Sequence, residues 1–332
     1  MKKTLAFAVF SCAVITSIVA ADGYRLIKQI PISGGGGWDY LSIDAKARRL
    51  YVTHGDRIAI VDLSNNTVVG EIPGTIGVHG FAIASELGRG FSSNGKENKV
   101  SVVDLKTNAT LEKVETGEVP DAILYEPNRA EVYAFNGKGQ SATVLDAKSG
   151  KVVATVPLEG KPEFAQAEGE HVFCNIEDKN EVVVIDATAH RVSARWPLAP
   201  GEEPTGMAID AAHHRLFVGC HNKLLIMLDN TTGKVIASAP IGAGVDACAF
   251  DEATRSVFAS CGDGTTTILK VVGDKLEVVQ TLATERGART MAMDPVSRRI
   301  YLATAKLDER AKDERGRPKI IDGTFHVLVY GQ

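Results

Sequence analysis

Five times in this chain an apolar run of strand length closes on an aspartate at a nearly constant interval. Asp62 ends "IAIVD", Asp104 "VSVVD", Asp146 "ATVLD", Asp186 "VVVID" and Asp229 "LIMLD", in steps of 42, 42, 40 and 43 residues. A sixth unit, "TTILK", reaches Lys270 after a further 41 residues without the aspartate, and a seventh, "FHVLVY", ends at Tyr330. A charged insertion at 306–323 delays that last copy. A period of about 40 residues limits the chain to repeat architectures, in which each unit buries its surface against the next.

Each unit parses into four strands. In the fifth, "TGMAID", "RLFVGC", "KLLIMLD" and "KVIASAPI" are separated by "AAHH" and "NTTG" turns. Short runs of high β-propensity divided by Gly, Asn and Asp clusters are strands of an antiparallel sheet. Four strands in about 40–45 residues are the signature of a propeller blade. The last unit stops at its third strand, "FHVLVYGQ", whereas "GYRLIKQIPISG" near the start resembles the fourth strands "NTVVGEIPG" and "KVIASAPIG". The expected fold is therefore all-β: a seven-bladed β-propeller of four-stranded antiparallel blades, with the N-terminal strand completing the last blade. Such closure leaves no third strand with an unpaired edge.

The first residues, "MKKTLAFAVFSCAVITSIVAA", join Lys2 and Lys3 to an apolar run and a small-residue end. This predicts a cleaved signal peptide at 1–21, a single propeller domain at 22–332, and a periplasmic or secreted location. After cleavage 35 basic residues face 41 acidic ones, a net charge of −6. No basic footprint for nucleic acid and no further membrane span is expected, and a monomer is the expected state. Four cysteines remain, Cys174, Cys220, Cys248 and Cys261. No C-x-x-C or C-x-x-C-H spacing joins them, which argues against haem attachment and thioredoxin-type chemistry. Cys220 and Cys261 occupy equivalent positions in adjacent units. Small packing residues, soft metal ligands and a disulfide are all readings of that pair.

The second strand of each unit carries a further resemblance. "YVTHG" at 51–55 looks like the Y-V-T-N signature of the YVTN-repeat β-propeller family, with degenerate copies "FSSNG", "YAFNG", "FVGCH", "FASCG" and "YLATA". The resemblance runs over essentially the whole mature chain. It departs from the pattern in "FCNIED", where Ile176 takes the usual Asn position. It implies an extracytoplasmic seven-bladed protein, more distantly similar to propellers that act as lactonases or as subunits of periplasmic redox enzymes. The aromatic and β-branched residues of the signature are expected to pack, and its last residue to be freer.

In a propeller the loop leading into the first strand and the loop leaving the second open on one face, near the central channel. The equivalent positions before the first strands are Asp39, His79, Asp121, Glu163, Thr205, Asp246 and Arg289. Those after the second strands are His54, Asn94, Asn136, Ile176, Cys220, Cys261 and Thr304, followed by Glu177, His221 and Lys306. Seven polar residues at one repeated position are not what core packing selects. Like charges converging there must be paired, protonated or bridged by a cation.

Three readings follow. Asp39, His79, Asp121 and Glu163, with His54 or Asp246, are candidate ligands of a divalent metal ion serving a lactonase-like hydrolase. The same ring, with Trp38 as a stacking face and Arg289 or Lys306 for a carboxylate, is a candidate binding site for a small ligand or protein partner. The third reading is a ring of solvated turn residues. A non-catalytic subunit of a periplasmic oxidoreductase is a further alternative within the resemblance. Trp38 would otherwise pack over the first blade at the ring closure. The "GGGG" run at 34–37 is no phosphate loop, because neither a Lys-Ser/Thr pair nor a helix follows. No G-x-S-x-G nucleophile motif is present. The insertion at 306–323, mixed in charge, is expected as a loop on the ring face, either solvated or a partner contact.

Overall fold

The structure, a computed structural model, describes residues 23–313, 316 and 318–332; the expected signal peptide lies outside them. Seven four-stranded antiparallel sheets follow one another around a ring. Their inner strands are Trp38–Asp44, Val78–Ala84, Pro120–Glu126, Pro162–Glu168, Pro204–Asp210, Val245–Asp251 and Met291–Met293, in blades 1 to 7. In blade 7 the outer strand is Arg25–Pro31, paired antiparallel with His326–Gly331. The fold and its closure are those the repeat predicts. Among the described residues no helix is long and apolar enough to cross a membrane.

Strand alternation explains why a ring forms. In blade 1, Tyr51 joins a cluster with Val78 and Phe81 of blade 2, while its neighbours Leu50 and Val52 join Tyr301 and Val327 of blade 7. Successive side chains point to opposite sheet faces, so each blade has two apolar faces and needs two neighbours. The buried apolar residues accordingly form seven clusters, one at each blade–blade seam.

The repeated aspartate has a local cause. Asp104, Asp186 and Asp229 each accept the backbone N–H groups of the residues two and three positions on, as Asp62 does from Ser64 and Asp146 from Ser149. The carboxylate caps the turn into the outer strand. Those hydrogen bonds hold all five carboxyls below the usual carboxylate range.

Two local expectations change. The insertion is not a loop: Leu307–Lys312 and Pro318–Ile320 pair as a separate antiparallel hairpin. The last residue of the signature is not freer either, because His54, Asn94 and Asn136 are wholly buried. Asn94 donates to Ser101 Oγ at 2.8 Å and Asn136 to Thr143 Oγ1 at 3.0 Å, tying the second strand to the third. Cys174, Cys220, Cys248 and Cys261 are buried free thiols, without a disulfide.

Candidate functional site at the channel mouth

The mouth is built by one backbone device used six times. In blades 1 to 6 the pairing of inner and second strands slips by one residue, between Trp38 and Leu41, Val78 and Phe81, Pro120 and Ile123, Pro162 and Ala165, Pro204 and Met207, and Val245 and Ala247. A bulge of this kind re-aims side chains out of the pleat. The bulged residues are Asp39, His79, Asp121, Glu163, Thr205 and Asp246, with Arg289 in the corresponding place ahead of the short inner strand of blade 7.

Hydroxyl and amide groups pin these bulges from neighbouring strands. Ser93 donates to the Asp121 carbonyl and accepts the Gly80 N–H. Asn175 donates to the Thr205 carbonyl at 2.7 Å, Ser260 to the Arg289 carbonyl at 2.5 Å, and Thr290 to the Asp39 carbonyl at 2.8 Å.

Three ionic groups result. His79 Nδ1 lies 2.6 Å from Asp39 Oδ2 and 3.4 Å from Asp121 Oδ1. Arg289 Nε donates to Asp246 Oδ2 at 2.5 Å. Lys161 holds Glu163 at 2.6 Å and also bonds Glu177. Burial disfavours charge on His79, but the hydrogen bond to Asp39 and the charges of Asp121, Asp39 and Glu163 outweigh it and push its pKa up to about 9. Burial, with the charges of Asp39 and Asp246, raises Asp121 to about 6 against the pull of His79 and Lys161. Burial and the Asp121 charge push Glu163 up as well, and burial raises Asp246 despite Arg289.

Beneath the ring lies a second layer formed by the next residue of each blade. Tyr40 of blade 1 reaches Phe164 of blade 4, with ring centroids 5.2 Å apart. These blades are not neighbours, so the two rings meet across the channel. The equivalent positions of blades 2, 3, 5 and 6 are the small residues Gly80, Ala122, Gly206 and Ala247. Tyr40 is 6% exposed. Burial and the charges of Asp121, Glu163, Asp246 and Asp39 hold its hydroxyl well above the usual phenol range.

The other sequence candidates lie elsewhere. His54 is 0% exposed, bonds the Gly37 carbonyl through Nδ1 at 3.2 Å, and stacks on Phe325 at 4.0 Å. It belongs to the seam between blades 7 and 1, and burial lowers its pKa. Trp38 packs in the same seam, 5.6 Å from Phe325. Lys306 is exposed at the base of the hairpin, beside a cleft of about 420 Å³ shared with Glu285, Arg286 and Glu309. Thr205 turns its hydroxyl to the Val245 carbonyl at 2.7 Å. Sequence reasoning passed over Tyr40, Phe164 and Lys161. Their signal was present one residue after, or two before, the ring position, where an aromatic or a lysine breaks a run of small or neutral residues.

No family model matches the chain. Matches to curated proteins include two uncharacterised proteins named YncE. That of Salmonella typhi is 30% identical over 174 residues, 50% of this chain and 49% of its own length. That of Salmonella typhimurium is 29% identical over the same share of each. The aligned part thus spans about half the length of these relatives. Solved structures that superpose include Kuenenia stuttgartiensis hydrazine synthase, with TM-score 0.71, 15% identity, and 88% of this chain and 97% of that one covered. U3-55K gives TM-score 0.77 and 10% identity over 93% and 98% of the two chains. A chain of a mitotic checkpoint complex gives 0.75 and 10% over 99% and 98%. At such identities the likeness is one of fold: the chain is a seven-bladed β-propeller, an architecture commonly used for binding or as a scaffold.

Proposed function

We propose that this chain is an extracytoplasmic binding protein of the YVTN-repeat kind, exported by its N-terminal segment to the periplasm or beyond. It holds a small ligand or a protein partner at the channel mouth. One observation carries the reading: Asp39, Asp121, Glu163 and Asp246 converge with His79, Lys161 and Arg289 above an aromatic pair that meets across the channel. A few convergent polar groups over an apolar floor are what fix a ligand's orientation.

The test is a binding screen with chelator-treated residues 22–332, using small polar ligands and extracytoplasmic extract, on wild type, Arg289→Ala and Lys161→Ala. Genuine mouth ligands are expected to lose about 10-fold or more in affinity with either variant, the loss of one charge-assisted contact. Hits indifferent to both substitutions would move the binding surface elsewhere. A metal-dependent, lactonase-like hydrolase is the second reading, favoured by the meeting of Asp39, His79 and Asp121.

A further inference from the structure

Two carboxylates address a single imidazole nitrogen. His79 Nδ1 carries at most one hydrogen, and Asp39 Oδ2 at 2.6 Å receives it well. Asp121 Oδ1 at 3.4 Å is left with a poor bond. The three donor atoms lie within 4.8 Å of one another, on three successive blades. Their bulges are pinned through the Asp39 and Asp121 carbonyls, so the cluster is held by the scaffold rather than by mobile loops.

A second feature points to a bound species. Tyr40 is more than nine-tenths buried, and its hydroxyl sits under the field of Asp121, Glu163, Asp246 and Asp39. Among the described residues no group hydrogen-bonds that hydroxyl, while the backbone carbonyl of Tyr40 is satisfied by Thr53. With no protein partner among the described residues, this hydroxyl is free to bond a species held in the channel.

We propose that Asp39, His79 and Asp121 bind one divalent cation of borderline softness, with the Tyr40 hydroxyl bonding a water or ligand oxygen carried by that cation. The inference rests on the mouth being the binding site but not on the identity of its ligand. Two carboxylate oxygens and one imidazole nitrogen suit zinc, manganese or cobalt. Calcium, which takes six to eight oxygens, is disfavoured. Glu163 and Asp246 are not in the set, because Lys161 and Arg289 already hold them. The metal set foreseen from the sequence thereby contracts from four residues to three. With three protein donors the cation keeps open positions facing the mouth, where a ligand carboxylate or carbonyl would bind.

The experiment is metal analysis and calorimetric titration of chelator-stripped residues 22–332 with Zn²⁺, Mn²⁺, Co²⁺ and Ca²⁺. Wild type is expected to take up about one equivalent of a transition-metal ion and to prefer it to Ca²⁺. His79→Gln and Asp121→Asn should weaken binding by more than about 100-fold, and Tyr40→Phe by about 10-fold, as for the partner of a metal-bound group. Circular dichroism establishes that each variant is folded. Should a variant fail to fold, the absorption spectrum of Co²⁺-loaded wild type and the shift of the His79 ring resonances decide the matter alone. No uptake by folded wild type, or folded variants that bind as wild type does, would overturn the inference. The triad would then be a proton shared between two carboxylates and an imidazole. Such a failure leaves the binding reading intact, since its own screen is run on chelator-treated protein.

Discussion

Ser93 shows how much a single hydroxyl does in this fold. It occupies the third position of the repeated "YVTH" strand, a place that reads in sequence as one more small strand residue. In the structure it accepts the Gly80 N–H of its own blade at 2.9 Å and donates to the Asp121 carbonyl of the next. Ser93→Ala would leave the buried Gly80 N–H and the part-buried Asp121 carbonyl without this partner. It is expected to cost about 2 kcal/mol, read as a lower urea midpoint at unchanged slope. A Ser93→Thr variant should recover part of that loss, because the hydroxyl is retained. The ring position was legible because seven polar residues recur there. The partners were not. The hydrogen bond from Ser93 to Asp121 joins different blades, and local periodicity carries no information about a contact across a seam. For the same reason His54 and Trp38 looked like mouth residues. Their strand ends point toward the mouth, but Phe325, far away in the chain, covers them.

Among the elements, the inner-strand bulge and the hairpin of blade 7 differ in what they support. The bulge is structural: it costs each of blades 1 to 6 one regular pairing and aims their ring residues at the mouth. The hairpin at 307–320 stands apart from the seven blades. Arg286 holds Glu309 at 2.6 Å, between side chains 63% and 49% exposed, and Ile320 at the hairpin's end packs against the seam between blades 7 and 1. An exposed pair of this kind contributes at most about 1 kcal/mol. Replacing 308–319 with a short Gly-containing turn is therefore expected to leave the melting temperature within about 2 °C of wild type. If the hairpin is a partner contact, the same deletion removes that partner in a pull-down while the mouth still binds its small ligand. A large loss of stability would show instead that the hairpin packs as part of blade 7. Mixed charge concealed this element from the sequence, since alternating Lys, Asp, Glu and Arg residues show neither strand alternation nor an apolar face.

For the whole molecule, stability depends on closing the ring. The N-terminal strand pairs with the last strand inside blade 7, and the seam between blades 7 and 1 carries an ion pair of good geometry. Arg48 donates to both Asp294 oxygens, at 2.7 and 2.8 Å, and the Asp294 side chain is 0% exposed. Burial opposes charge on Asp294, but the hydrogen bonds from Arg48, Ser297 and Val296 prevail and lower its pKa from 3.8 to about 2. A depressed carboxyl contributes stability that is complete above its unfolded pKa and is lost as pH falls through its folded one. Wild type should therefore exceed Asp294→Asn by about 2 kcal/mol at pH 7. That difference should shrink between pH 4 and pH 2, seen in urea titrations of both proteins across the range. A difference that stays constant with pH would mean that the seam is held by packing alone.

The sequence by itself determined the repeat, the four strands of each blade, the closure by the N-terminal strand and the circle of polar residues at one repeated position. Each of these is written in local periodicity or in the match between the two chain ends. Only the tertiary structure decided which of those polar residues meet. It sorted them into the pairs Arg289–Asp246 and Lys161–Glu163 and the triad around His79, and it set Tyr40 against Phe164 beneath them. Those contacts depend on the bulge in six of the inner strands and on how the blades pack. Both arise from the packing of sheet on sheet around a closed ring, which no single repeat contains.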